Sequence, residues 1–212
     1  MLALAGCTAS PLEALKTFPE QKQLLEGDAT GPLVLGDADL RANFSADGVL
    51  IERGALQLRL RGDWVGSPQR AGAAIVLRGG GRQHFWASRG QALEEWILTD
   101  WAGGAGVVAR YVVEGAKLEL QGDSVQVSSL EGLAALTVIA PSASLADGTP
   151  ARVWLAVEGN QLLVNVDARP GQLLVDPFWF ISPRTMGHTR RKFTATLLPD
   201  GTVLVADRKS VV

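Results

Sequence analysis

The stretch Asn43-Phe44-Ser45-Ala46-Asp47-Gly48-Val49-Leu50-Ile51-Glu52-Arg53, continued by Ala55-Leu56-Gln57-Leu58-Arg59-Leu60, decides the fold class. Two short apolar runs flank Ala46-Asp47-Gly48, a turn in which Gly supplies positive φ and Asp bonds its own backbone, so the runs form a hairpin. Residues 55–60 then alternate with a period of two. That alternation puts Leu56, Leu58 and Leu60 on one face of a strand and makes the face core.

The same pattern extends from about residue 32 to residue 181. Ala73 to Arg78 and Arg82 to Ala87 flank Gly79-Gly80-Gly81, Gly103-Gly104 precedes Val107 to Glu114, and Lys117 to Gln121 alternates before a Gly122-Asp123 turn and Ser124 to Ser128. Val153, Leu155 and Val157 should face inward, and Leu162, Val164 and Val166 return after Gly159-Asn160. About ten such strands suit an all-β chain folded as an antiparallel β-sandwich, with barrel and jelly-roll-like topologies left open. Residues 11–26 alone have a helical flavour, and Pro19 interrupts it.

Composition narrows the function classes. With 47% hydrophobic and 20% charged residues among 212, the chain is globular. Twenty basic against 22 acidic residues give a net charge of -2, which provides no general attraction to phosphate backbones or anionic membranes. No nucleic-acid partner is expected. The basic group Arg184 and Arg190-Arg191-Lys192 reads as a solvated loop.

One cysteine excludes an internal disulfide framework and a Cys-rich metal site. It ends Leu4-Ala5-Gly6-Cys7, which resembles the lipobox of bacterial lipoproteins, followed by the tether-like Thr8-Ala9-Ser10-Pro11. The resemblance implies lipidation at Cys7, so residues 1–7 are expected to be the remnant of a signal and residues 8–31 a tether or short helix. Only Met1-Leu2-Ala3 precede the box, with no basic or full apolar region, so this reading needs a start further upstream. The competing reading is an ordinary buried or free thiol. No run approaches the roughly 18 to 20 apolar residues of a membrane-spanning helix, so membrane contact is expected only through a lipid on Cys7. The implied location is the bacterial cell envelope or the exterior.

Residues 186–206 read as one more hairpin around Pro199-Asp200-Gly201, and "TATLLPDG" followed by "VLVA" resembles the opening repeat of bacterial kelch-type β-propellers. The resemblance implies that residues 182–206 are the first, incomplete blade of a propeller. The Gly-Gly pair that normally follows is replaced by Asp207-Arg208-Lys209-Ser210-Val211-Val212, which is what a common sequencing adapter encodes in frame, so residues 207–212 are expected to be foreign. Two further segments, Arg89-Gly90-Gln91-Ala92-Leu93-Glu94-Glu95-Trp96 and Leu173-Leu174-Val175-Asp176-Pro177-Phe178-Trp179, resemble "GLEEWY" and "YPVLVDPTW" of a β-rich domain. That domain precedes kelch, integrin-like or RHS-type repeats in secreted myxobacterial proteins. The likeness covers roughly residues 40–206 and implies a multidomain surface protein, with no chemistry attached.

Candidate chemistry is sparse. Glu94 and Glu95 are neighbours and would point to opposite faces of a strand, so they do not bracket a scissile bond as glycosidase carboxylates do; a turn ahead of Trp96 accounts for them. His84 and His188 are the only histidines, no G-x-S-x-G occurs, and the nitrogen and sulfur ligands are too few for zinc. The turns Gly122-Asp123, Asp147-Gly148 and Asp200-Gly201 carry one carboxylate each, too few for calcium. No catalytic residue, metal or cofactor is expected. Among six tryptophans, Trp64 and Trp101 sit in Gly- and Asp-rich surroundings and are the ones expected at the surface, where flat indoles stack on ligands. The expected function is a non-enzymatic cell-surface or secreted binding protein of adhesion type, with an unidentified protein or polysaccharide ligand. The alternative is a carbohydrate-binding module, or an accessory domain of a carbohydrate-active or oxidase propeller enzyme.

Overall fold

The computed structural model describes residues 32–54, 56–130 and 134–181, together with the backbone of two strands between residues 193 and 207. Cys7, residues 8–31, His188 and the basic group at 184–192 lie outside the described residues. The chain divides into two compact units, Met1–Ser182 and Pro183–Val212.

In the first unit the strands run β1 (Val34–Gly36), β2 (Arg41–Ser45), β3 (Gly48–Arg53), β4 (Leu56–Arg61), β5 (Gln69–Ala71), β6 (Ala74–Gly79), β7 (Arg82–Arg89) and β8 (Ala92–Trp101). They continue with β9 (Gly104–Glu114), β10 (Ala116–Gln121), β11 (Ser124–Ser129), β12 (Ala134–Leu145), β13 (Arg152–Glu158), β14 (Gln161–Ala168) and β15 (Gly171–Ile181). Two antiparallel sheets result, one of seven strands in the order β1-β2-β3-β4-β9-β14-β13 and one of eight in the order β10-β11-β12-β15-β8-β7-β6-β5. The fold is all-β and sandwich-like. Short turns join most neighbours, and the chain changes sheet after β4, β8, β9, β12 and β14.

The alternation read from the sequence is what fills the space between the sheets. Leu56, Leu58 and Leu60 are buried, as are Leu155, Leu162, Val164 and Val166, while Val153 and Val157 pack half-buried against the same cluster. One continuous core therefore draws on both sheets. A second, smaller cluster of Val76, Phe85, Trp96, Leu98 and Leu174 with two alanines belongs to the opposite face of the eight-stranded sheet, because β6, β7, β8 and β15 are apolar on both faces.

There are more strands than the roughly ten expected from typical strand and turn spacing. Val34–Gly36 and Gln69–Ala71 are three residues each and too short to show alternation. The segment around Glu94 and Glu95, expected to turn, runs straight through the middle of β8. The turn falls earlier, at Gly90 and Gln91, where Gly90 takes the φ of +57° that such a two-residue connection demands.

Two local devices close the sandwich. Arg70 of β5 donates through Nη2 to the Pro32 carbonyl at 2.7 Å and to the Val34 carbonyl at 3.3 Å, so a side chain of one sheet edge occupies backbone acceptors along β1 of the other. Pro141 lies inside β12 where the register with β15 shifts between Ile139 and Ser142, and Pro177 of β15 lies at the same interruption. Prolines lack the ladder donor, and both sit where the ladder already lapses.

In the second unit β16 (Phe193–Leu197) and β17 (Val203–Asp207) pair antiparallel, Phe193 opposite Asp207 and Leu197 opposite Val203. The hairpin read from the sequence ends at Ala206; β17 runs one residue further, to Asp207, the first of the six residues expected to be foreign.

Because one core cluster serves both large sheets, residues 32–181 produced alone should be β-rich by circular dichroism and unfold in a single cooperative step. Substantial helix, or a drop of ten degrees or more in the melting midpoint relative to the full chain, roughly several times the scale of a surface substitution, would show that the sandwich depends on segments outside this span.

Candidate functional site

The most unusual chemistry lies between the sheets. Period-two alternation in β8 puts Leu93, Glu95 and Ile97 on the core face, so a carboxylate enters an otherwise apolar row. The Gly90-Gln91 turn fixes the β7–β8 register with Trp86 opposite Glu95 and His84 opposite Ile97. Glu95 is fully buried and His84 is 1% exposed.

Glu95 Oε1 accepts two hydrogen bonds, from His84 Nδ1 at 2.7 Å and from the Tyr111 hydroxyl at 2.7 Å. With a carboxylate as common acceptor, the proton on His84 is assigned to Nδ1. His84 and Glu95 belong to β7 and β8 of one sheet and Tyr111 to β9 of the other, so this network ties the two layers through a polar contact. Burial, reinforced by the Glu95 carboxylate, pushes the Tyr111 hydroxyl well above the ordinary tyrosine range.

Aromatic rings enclose the network. Trp64 meets His84 edge-on at 5.8 Å and lies 5.9 Å from Tyr111; Trp179 meets Tyr111 edge-on at 5.9 Å; Trp86 lies 5.8 Å from both Trp179 and Phe44. Trp64 reaches this position from the loop between β4 and β5. Val65 N donates to the Arg78 carbonyl at 2.7 Å and Arg82 pairs with Asp63 at 2.6 Å, which holds the loop against the end of β6. Gly79 is required there: a Cβ at that position would stand 1.9 Å from the Asp63 carbonyl oxygen.

A carboxylate-oriented imidazole is the geometry used by general bases. Here the arrangement is sealed among rings, and His84 Nε2 is itself buried with no hydrogen-bond partner among the described residues. Neither Glu95 nor Tyr111 was singled out for this role from the sequence. The signal was nevertheless present, since a Gly90-Gln91 turn with alternation in both flanking runs already sets Trp86 opposite Glu95.

The two tryptophans expected at the surface are placed otherwise. Trp64 is half-buried against the core with its Nε1 shielded from solvent. Trp101 is the last residue of β8, half-buried, and its Nε1 donates to the Gly104 carbonyl at 3.1 Å, with its ring edge over Gly106. Both were expected in loops whose glycines promised exposure; long-range ring packing holds Trp64, and a local hydrogen bond holds Trp101.

At the surface an open groove of 680 Å³ runs along β1 and the adjoining turns, lined by Val34, Asp37, Arg41 and Glu52 among others. Glu52 is fixed by Asn43 Nδ2 at 2.8 Å and Gln57 Nε2 at 3.0 Å, and Asp37 Oδ1 accepts from the Asp39 and Leu40 amides. The groove thus presents positioned carboxylates beside the exposed Arg41. Among the described residues no cluster of three or more His, Cys, Asp or Glu has the arrangement of a metal site.

No protein-family model matches the chain, and no curated protein compared with it is significantly similar.

Two measurements test the buried network. Glu95→Ala strands two donors and should cost about 3–5 kcal/mol in urea unfolding, and Tyr111→Phe about 1–3 kcal/mol. Replacing all three residues together by Met, Leu and Phe at 95, 84 and 111 should cost much less than the sum of the single losses. Tyr111 is the only tyrosine in the chain, so near-ultraviolet absorbance of tyrosinate reports it alone. Its folded pKa is raised above the unfolded one, so the stability it contributes is fully present below about pH 10 and is lost as pH climbs toward the folded value. Wild-type melting midpoints should fall in that alkaline range together with tyrosinate appearance. Ionisation of Tyr111 near pH 10 in a chain that stays folded would contradict the burial of its hydroxyl.

Proposed function

We propose that this chain is the β-sandwich module of a non-enzymatic surface or secreted binding protein, in which the sandwich precedes a kelch-type propeller. The observation that carries the reading is the β16–β17 hairpin, whose connection contains Leu198, Pro199, Asp200, Gly201 and Thr202 in the order of the kelch-type opening repeat. Two strands bury too little apolar surface to be stable by themselves, and the other strands of a four-stranded blade supply what is missing. In this reading the propeller loops bind the partner and the sandwich supports them, with the Arg41 groove as a second contact surface. Cys7 is then the point of lipid attachment, which puts the protein in the bacterial cell envelope, with the exterior as the other location.

A second reading, a sugar-binding module, is favoured by Trp101, whose half-exposed indole stands at the end of β8. Stacking of a sugar ring there would quench tryptophan fluorescence in wild type and leave Trp101→Ala unresponsive.

Sequencing the gene past the codon for Ala206 tests the first reading directly. Further copies of the Thr-Ala-Thr-Leu-Leu-Pro-Asp-Gly type should follow; a catalytic domain in their place would end it. For the anchor, the protein expressed from its upstream start should incorporate labelled palmitate and partition into detergent. Cys7→Ser should abolish both, and equal behaviour of the two forms would remove the lipoprotein assignment.

A further inference from the structure

Strand β10 ends the eight-stranded sheet and is the most solvent-exposed of the six-residue strands, with Lys117, Glu119, Leu120 and Gln121 all open to water. It pairs with β11 along its whole length, from Ala116 opposite Ser129 to Gln121 opposite Ser124, and has no partner strand on its other side among the described residues. Such an edge is normally blunted by a proline, a bulge, a covering segment or charged side chains, Lys above all; on β10 the charge of Lys117 is matched by Glu119 two residues on, on the same face. β10 contains no proline, and the β11 register shift at Val127 and Ser128 is with β12, away from this edge. Two other terminal strands are guarded or short: Arg70 caps the Pro32 and Val34 carbonyls at β1, and β5 has three residues; β13 is also an open edge, but its charges are engaged within the chain, Arg152 stacked over Trp154 at 5.0 Å and Glu158 3.5 Å from Arg110.

We propose that β10 is a dimerisation edge whose partner is β10 of a second copy of this chain, joined antiparallel about Leu118. The sequence Ala116-Lys117-Leu118-Glu119-Leu120 is complementary to itself in that register. Leu118 meets Leu118 of the other copy, Ala116 meets Leu120, and Lys117 meets Glu119 twice, once on each side of the two-fold axis. Lys117 and Glu119 form no ion pair within the chain among the described residues. The hydrogen-bonding phase agrees. Gln121 and Ser124 flank a two-residue turn and bond each other, so the odd-numbered residues bond β11 while Ala116, Leu118 and Leu120 direct their N–H and C=O groups to the free edge. These are the residues the register pairs. Lys117 and Glu119 then form the closer, non-hydrogen-bonded pairs, where opposite charges contribute most. Ala116 and Leu118 already pack toward the core, and Leu120, 48% exposed in the single chain, gains cover from the second copy.

The contact is small, so dimerisation should be weak and visible as a rise in weight-average mass with concentration in sedimentation equilibrium, across the micromolar to near-millimolar range. Lys117→Glu sets Glu against Glu at both pairs and should weaken association about tenfold or more. Glu119→Lys should do the same, and the double exchange Lys117→Glu with Glu119→Lys, which restores opposite charges, should recover wild-type mass. Circular dichroism and melting of the monomer should not change, since both side chains are exposed. A wild-type chain that stays monomeric throughout, or a dimer indifferent to the single exchanges, overturns the proposal. Failure of the double exchange to restore association does so as well.

Discussion

A single carboxylate oxygen, Glu95 Oε1, constrains the interior of this sandwich. It lies where apolar surface from two sheets meets, and an unpaired charge there would cost several kcal/mol. The cost is offset only while His84 from the neighbouring strand and Tyr111 from the opposing sheet both donate to it. Those donors fix more than themselves. Tyr111 must stand opposite Glu95 across the core, which sets the position of β9 against β8. His84 must lie one step diagonal to Glu95, which agrees with the register imposed by the Gly90-Gln91 turn.

The aromatic shell follows from the same requirement. Water excluded from the carboxylate makes its hydrogen bonds stronger, and the excluding groups are Trp64, Trp86 and Trp179. Trp64 is supplied by a loop instead of a strand, and that loop is pinned by Asp63–Arg82 and by close backbone approach at Gly79. To the apolar packing of the two layers the network adds directional hydrogen bonds that reach from one sheet to the other.

The edges pose the opposite problem. A sandwich, unlike a closed barrel, leaves terminal strands with unpaired backbone groups. The Arg70 guanidinium covers one such row from the other sheet, and two of the end strands are only three residues long. Strand β10 has neither protection, and its residues bear complementary charges at the spacing an antiparallel copy would need. Core and edge thus use polar groups differently, inside to hold a register within the chain and outside to select what pairs with it.

By itself the sequence determined the class and the faces. The alternation of Leu56, Leu58 and Leu60, and of Leu162, Val164 and Val166, depends only on strand geometry with its period of two, so their burial was legible before any neighbour was known. Short turns such as Gly122-Asp123 and Gly159-Asn160 were legible for the same local reason. The grouping of strands into two sheets, the packing of Trp64 against the core and the meeting of Glu95 with His84 and Tyr111 were decided by the tertiary structure. Tyr111 is 16 residues from Glu95 and on the other sheet. No local periodicity encodes that distance. A buried Glu in an apolar row looks like a turn residue until its donors are in place, because the interaction that makes it tolerable forms only when both sheets have assembled.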